Sequence, residues 1–134
     1  MNNITTEDKI FINYFARIND LILNSKNNIR KNINYEMVEL YYEIGSTINE
    51  LIEKYNLEAS QNRIISSFSK KLTLEYGPGY SVPNLKKMKK FYIIYRTGST
   101  LWNQVSWSHN RLIMNIKDEK KRNFYLEETI KSKK

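Results

Sequence analysis

The sequence of 134 residues contains no cysteine and only one histidine, His109. Disulfide scaffolds, zinc ribbons, iron–sulfur sites and thiol nucleophiles all need cysteine, and histidine metal clusters need several histidines. These classes of protein are therefore excluded, and we expect neither a metal nor a cofactor in this chain.

Long hydrophobic runs are also missing, since no apolar stretch approaches the roughly 20 residues that a bilayer requires. The N-terminus, MNNITTEDK, carries acidic residues before any apolar run. Hydrophobic residues nevertheless make up 40% of the chain and aromatic residues 13%, which is too much for a disordered polyelectrolyte. The sequence predicts a soluble, cytoplasmic protein that makes no membrane contact and folds as a single domain over residues 1–134.

Acidic residues are scarce in one half of the chain. The net charge is +8, yet residues 1–60 hold six basic and nine acidic residues, whereas residues 61–134 hold sixteen basic and five acidic residues. Between Arg63 and Arg111 the only acidic residue is Glu75. A compositional bias toward Asn, Ile, Lys and Tyr would add lysine everywhere, but it would not remove acids from one half. We therefore expect an attraction for polyanions, of which nucleic acid is the commonest in cells.

Helical periodicity dominates the sequence, so we expect a mainly α fold. Thr5 and Asp8 form a capping-box pattern before the first helix. The Asn-rich stretch 24–34 leaves a bend, a loop or a continued helix open. A long amphipathic helix over 33–55 follows, with a row of glutamates that we interpret as a solvated face or a partner-docking surface. These glutamates are Glu36, Glu39, Glu43, Glu50 and Glu53.

A third helix over about 60–76 ends at Gly77-Pro78-Gly79, and a fourth over about 82–96 starts after the N-cap candidate Ser81. A helix, a tight glycine turn and a second helix are the outline of a helix-turn-helix. At 100° per residue the apolar side chains of the fourth helix fall on one side and its lysines on the other. Ile93 and Ile94 lie on the basic side, which predicts that the second half of this helix is buried all round. The lysines are Lys86, Lys87, Lys89 and Lys90.

The C-terminal part is harder to predict. Residues 97–107 are the one plausible place for a short strand or wing. Ser106 or Ser108 then begins a short helix, and Asp118 begins a last one.

Several segments together resemble the N-terminal domain of the YhcG-like proteins over about residues 18–130. The segments are NYEMVELYYEIG (34–45), ISSFSKKL (65–72), YS (80–81), NLKKMKKFY (84–92), VSWSH (105–109) and RNFY (122–125). The resemblance implies a helical domain with a winged helix-turn-helix, which in that family precedes a PD-(D/E)xK nuclease domain. Tyr42 stands where the family usually has Trp. The nuclease half has no counterpart in these 134 residues, so we interpret the chain as a stand-alone relative or a piece of a longer protein.

Nuclease chemistry of this type needs an Asp and an (Asp/Glu)-x-Lys on neighbouring strands, where two carboxylates hold Mg²⁺. Two short matches occur, at Glu7-Asp8-Lys9 and Glu119-Lys120-Lys121. Neither lies on a predicted strand, and both are typical of helix starts, where acids are favoured by the helix dipole. We expect this chain not to be an enzyme.

The motif Trp107-Ser108-His109 leaves two interpretations open. In the structural one, Trp107 fills the core, Ser108 or a neighbour caps a helix, and His109 fixes that turn. In the other, the motif contacts nucleic acid. Four tyrosines at helical spacing have the same two interpretations, base stacking or core packing, and core packing is the commoner. They are Tyr41, Tyr42, Tyr92 and Tyr95.

The leading hypothesis is a DNA-binding domain that positions a nuclease or partner protein on duplex DNA. The alternative is a protein-interaction or oligomerisation module that docks a partner through the acidic helix 33–55. The predicted DNA contacts are Lys70, Lys71, Ser81, Asn84, Lys86, Lys87, Lys89, Lys90 and Arg96.

Overall fold

The computed structural model describes residues 5–27, 33–98 and 100–132. From α2 onward the α-helices are connected by turns and short 3₁₀ segments, and the described residues contain no strand. The mainly α class is therefore confirmed. The helices are α1 (Thr6–Asn27), α2 (Ile33–Lys54), α3 (Gln61–Tyr76), α4 (Val82–Tyr95), α5 (Trp107–Ile113) and α6 (Glu119–Lys131). Residues 28–32, in the middle of the Asn-rich stretch 24–34, lie outside the described residues.

The helix starts follow from local side-chain chemistry. The Thr5 backbone N–H donates to Asp8 Oδ2 at 3.1 Å, and the Asp8 N–H donates to Thr5 Oγ1 at 3.0 Å, which confirms the capping box. Hydrogen bonding from the Thr5 backbone N–H, and then from the Thr5 side chain, lowers the pKa of the Asp8 carboxyl. At the last helix, Asp118 Oδ1 accepts from the Lys120 N–H at 3.0 Å. Each of these two helix starts is therefore fixed by hydrogen bonds between residues at most three positions apart.

The turn between α3 and α4 uses two glycines with positive φ, 83° at Gly77 and 117° at Gly79, where other residues would be strained. Ser81 Oγ accepts from the Asn84 N–H at 3.3 Å and so caps α4, as predicted. The Asn84 side-chain amide donates to the Gly79 carbonyl at 3.2 Å and closes the turn. The direction in which α4 leaves the turn is thus set by its own first residues.

Two hydrophobic clusters form the core. The first joins α1, α2, α3 and the start of α4, and the second joins the end of α4 to α5, α6 and the intervening turn. Trp107 packs against both clusters. No helix of the described residues is long and apolar enough to cross a membrane.

Two expectations about α4 and the segment after it are wrong. Residues 97–107 form no strand where they are described, and Leu101–Gln104 is a 3₁₀ turn. The turn places Trp102 in the core, stacked on Tyr42 with ring centroids 4.3 Å apart, and an extended strand would not pack the ring there. The second half of α4 is not buried all round either, because Ile93 remains 38% exposed.

Candidate nucleic-acid interface

The apolar side of α4 holds this helix against the core. Leu85, Met88 and Phe91 are fully or almost fully buried. At the crossing with α2, a Cβ on Gly45 would lie 2.0 Å from the Met88 carbonyl oxygen. Only a glycine at this position lets the two backbones come so close. The opposite side of α4 consequently points away from α2 in a fixed orientation.

That opposite side carries the α4 basic face, which we define as Lys86, Lys87, Lys89 and Lys90. Lys86 and Lys90 are exposed, and Lys87 and Lys89 are half-buried on the two flanks. Within residues 5–27, 33–98 and 100–132, none of the four forms an ion pair with a carboxylate. The face therefore keeps its four positive charges uncompensated.

Helix α5 borders one flank of the α4 basic face. Lys90 Nζ donates to Asn115 Oδ1 at 3.0 Å, just beyond the end of α5. A cavity of about 330 Å³ separates the two helices, and its lining includes Lys87 and Arg111. Arg111 was not among the predicted contacts. Its position at the far end of the acid-poor stretch was the sequence signal that could have identified it.

Three of the predicted contacts lie apart from this face. Arg96 forms an ion pair with Glu53 of α2 at 3.3 Å. The Lys71 ammonium lies 5.5 Å and 5.4 Å from the ring centroids of Phe11 and Phe15 on α1, and Lys70 is exposed on α3. Arg96 therefore has a carboxylate partner, and Lys71 packs against α1.

The glutamates of α2 also divide into side chains that have a cationic partner and side chains that do not. Glu50 accepts from Arg17 at 2.7 Å and from the Tyr14 hydroxyl at 2.6 Å. These two hydrogen bonds, the one from Arg17 first, lower the pKa of the Glu50 carboxyl. Glu53 is paired with Arg96, which leaves Glu39 and Glu43 exposed and unpaired among the described residues. The side chain of Glu36 lies outside the described part.

The Trp-Ser-His motif forms the start of α5. Ser106, and not Ser108, is the N-cap, because its Oγ accepts from the His109 N–H at 3.2 Å. His109 Nδ1 also lies 2.7 Å from that oxygen, so the histidine is attached to the turn. The Trp107 ring meets the rings of Tyr41 on α2 and Phe91 on α4, at 4.9 Å and 5.3 Å between centroids. The motif thus has structural partners at the junction of three helices.

Comparison with known protein families supports the resemblance that the sequence segments indicate. The DUF1016 N-terminal domain matches residues 17–134 of the chain. The chain belongs to this family. It is the N-terminal domain of the YhcG-like proteins, so the resemblance is confirmed. No curated protein and no solved structure matches the chain.

Three of the four tyrosines of this DUF1016 domain, Tyr41, Tyr42 and Tyr95, pack in or against its core. Tyr41, Tyr42 and Tyr92 are half-buried, and Tyr95 is 3% exposed. Tyr42 stacks on Trp102, and burial raises the pKa of Tyr95 to about 12. Tyr92 contacts the Tyr42 ring edge-on, and the Arg96 guanidinium lies 5.9 Å from the Tyr92 ring centroid.

The two short nuclease-like patterns of the chain lie in the first turns of α1 and α6, as expected. Among the described residues there is no group of three histidines, cysteines or carboxylates that could hold a metal ion.

Proposed function

We propose that this chain is a cytoplasmic DNA-binding domain that holds duplex DNA by its phosphates through the α4 basic face. The observation that carries the proposal is the absence of any carboxylate partner for these four lysines in the described residues. Lysines on a fixed helix face neutralise phosphates and release their counterions, which drives binding without regard to base sequence.

The turn and helix α4 support a helix-turn-helix mode of contact. Ser81 and Asn84 lie at the start of α4, where such helices meet the groove. Within the turn, Ser81 Oγ accepts from the Asn84 N–H, and the Asn84 side-chain amide donates to the Gly79 carbonyl. We therefore assign them to positioning α4 near the groove, and assign affinity to the lysines. Lys70, Lys71 and Arg96 become outlying contacts because of their places on α3 and beside Glu53.

A domain of this kind would position a nuclease domain or another partner on DNA, since the resemblance implies that in the YhcG-like family the helical domain precedes a nuclease domain. We propose that the chain itself does not cleave DNA. Its acidic residues in the two nuclease-like patterns serve as helix starts, and Asp8 is engaged by Thr5. Incubated with Mg²⁺ or Mn²⁺, the chain is expected to leave supercoiled, linear and branched DNA intact.

The test is fluorescence anisotropy with a labelled random-sequence duplex at several salt concentrations. We expect affinity to fall steeply with salt, with a log–log slope of about −0.9 for each neutralised phosphate. The triple variant Lys86→Glu, Lys87→Glu and Lys90→Glu should abolish binding. A matched control, Lys117→Glu, Lys120→Glu and Lys121→Glu, makes the same change in net charge at exposed positions before and within α6 and should retain most of the affinity.

Thermal melts must show that both triple variants are folded. Salt-independent association, or equal losses in the two variants, would contradict the proposal. Self-association of the chain, measured by sedimentation velocity, that survives the α4 variant but is lost in Glu39→Lys and Glu43→Lys would instead favour a protein-docking module on α2.

A further inference from the structure

We propose that the cleft between α4 and α5 binds one phosphate group of the DNA backbone, with Arg111 and Lys87 as its two cations. This inference rests on the proposed function and adds a second helix to the contact. The cleft has a volume of about 330 Å³, at the lower end of the roughly 300–1,000 Å³ that ligand pockets occupy. Its lining residues are Lys87, Ser108, Arg111, Leu112, Met114 and Asn115.

The charge of the lining selects an anion. Lys87 comes from α4 and Arg111 from α5, and none of the six lining residues is acidic. Neither cation forms an ion pair in the part of the chain that the structure describes. Two unpaired cations facing one cleft repel each other, so an anion between them is stabilised by both.

Helix α5 is held rigidly, so that Arg111 has a defined position. Asn110, next to it in sequence, is fully buried. Its side-chain amide donates to the carbonyls of Trp102 and Val105 at 3.0 Å, and to that of Ser106 at 3.2 Å. These bonds fasten α5 to the turn that precedes it. A cation on a fixed backbone loses less freedom on binding than one on a mobile loop.

Asn115 connects the two sides of the cleft. Its Oδ1 accepts from Lys90 Nζ at 3.0 Å, and its Nδ2 donates to the Arg111 carbonyl at 3.2 Å. These two hydrogen bonds link α4 to the backbone of α5 beside the cleft. Lys90 also lies at the rim as a third positive charge, so the α4 basic face and the cleft form one continuous positive surface.

The side chains differ in what they offer a phosphate. The guanidinium of Arg111 presents paired N–H donors that match two phosphate oxygens, whereas Lys87 supplies a point charge. Ser108 also lines the cleft and can offer its hydroxyl as a further donor. Because Ser106 caps α5, Ser108 has no capping role, and we assign it this contact with the phosphate.

The apolar lining distinguishes a DNA backbone from a free phosphate ion. Leu112 is 72% exposed although it is apolar, and it lines the cleft beside Arg111. An inorganic phosphate would gain nothing from such a neighbour, whereas a phosphodiester carries apolar deoxyribose faces on both sides. We therefore commit to the DNA backbone as the source of the phosphate.

The experiment measures anisotropy of a labelled random-sequence duplex for Arg111→Gln, with Lys117→Gln as the matched control for charge. Arg111→Gln should weaken binding about tenfold, as loss of one charge-assisted hydrogen-bonded contact does, and should make the salt slope shallower by about 1. Arg111→Lys keeps the positive charge but loses the paired N–H donors, so it should restore the salt slope and only part of the affinity. Lys117→Gln should change affinity less than twofold.

A second arm uses inorganic phosphate alone, added at constant ionic strength in place of chloride, with the melting temperature as readout. A shift in the unsubstituted chain that disappears in Arg111→Gln, together with unchanged DNA affinity, would show a site for free phosphate and would overturn the backbone assignment. If Arg111→Gln changes neither readout, the cleft is not a phosphate site. Competition by polyglutamate as strong as that by DNA would assign the cleft to an acidic protein segment instead.

The two proposals fail separately. If the α4 triple variant abolishes DNA binding while Arg111→Gln matches Lys117→Gln, the α4 basic face stands and the cleft is overturned. If the unsubstituted chain does not bind DNA at any salt concentration, the proposed function fails, and the backbone assignment fails with it.

Discussion

Helices α2 and α4 cross at Gly45, and each carries a row of like charges on its outer side. On α2, Glu50 is bonded to Arg17 and Tyr14, and Glu53 is bonded to Arg96. On α4, none of the four lysines has a carboxylate partner in the described ranges. Two charged faces that look equivalent in sequence therefore differ in availability, since one is half neutralised within the chain and the other is left for a ligand.

The difference concerns binding more than stability. Exposed ion pairs contribute only about 0–1 kcal/mol to folding, because water screens them and the side chains lose freedom. The Arg17 and Glu50 side chains are 45% and 44% exposed, so they belong to this class. A carboxylate that already has a cation nevertheless attracts a basic partner less strongly. The internal pairs thus weaken the alternative in which α2 is the docking surface.

The largest expected effect on stability comes from removing a side chain that contacts both helices. Trp107 contacts Tyr41 on α2 and Phe91 on α4, although it is only half-buried. Trp107→Ala should lower the free energy of unfolding by about 3 kcal/mol, the lower end for tryptophan in cores. Ser106→Ala should cost about 1 kcal/mol because it removes a cap. Thermal and urea melts would measure both.

Ser108→Ala is the matched control for Ser106→Ala and should change stability by less than about 0.5 kcal/mol. A Trp107→Ala protein that melts like the unsubstituted chain yet binds DNA poorly would reverse the assignment. The motif would then be a nucleic-acid contact and not a structural junction.

The next prediction separates the two helices at their crossing. Gly45→Ala places a methyl group 2.0 Å from the Met88 carbonyl oxygen, where it meets backbone and not a movable side chain. Alanine favours an isolated helix by about 1 kcal/mol over glycine, but the clash should dominate and destabilise the protein by about 2 kcal/mol net. Glu39→Ala, at an exposed position of the same helix, should be nearly neutral. A Gly45→Ala protein as stable as that control would contradict the close crossing.

Sequence reasoning succeeded where the interactions are local. The bonds between Thr5 and Asp8, and between Ser81 and Asn84, join residues three apart, so they can be read from spacing alone. The pair Arg96–Glu53 joins residues 43 apart, and which carboxylate an arginine meets depends on how whole helices pack. Sequence could therefore predict the lysines of α4, but not which of the predicted contacts would already be paired.

The same limit explains the errors at the C-terminal side. The β-branched residues and tryptophans of 97–107 indicated a strand, but the gain from burying Trp102 against Tyr42 depends on α2, which is distant in sequence. Arg111 was overlooked as a contact because its value comes from Lys87 across the cleft. Neither contact can be predicted from residues that are close together in the sequence.

A smaller effect is expected when the ion pair between α2 and Arg96 is removed. Glu53→Gln removes the partner of Arg96 and leaves that cation free beside α4. If binding is electrostatic, DNA affinity should rise about two- to threefold, which matches the few tenths of a kcal/mol typical of an exposed pair. Glu39→Gln makes the same change in net charge without freeing an arginine, and should raise affinity less. Equal gains in the two variants would show that only net charge matters.

The smallest effect tests the paired side of α2 by its pH dependence. Because Arg17 and Tyr14 donate to Glu50, the folded-state pKa of this carboxyl lies below its ordinary value of 4.5. Its contribution to stability is therefore complete above about pH 4.5 and is lost as the pH falls through the lowered folded-state pKa. The exposure of the pair limits that contribution to under about 1 kcal/mol. Urea unfolding of Glu50→Gln should show slightly lower stability at neutral pH and a flatter decline in acid than the unsubstituted chain. Identical acid slopes for the two proteins would mean that the hydrogen bonds from Arg17 and Tyr14 do not stabilise the Glu50 carboxylate, and Glu50 would then count among the unpaired charges of α2.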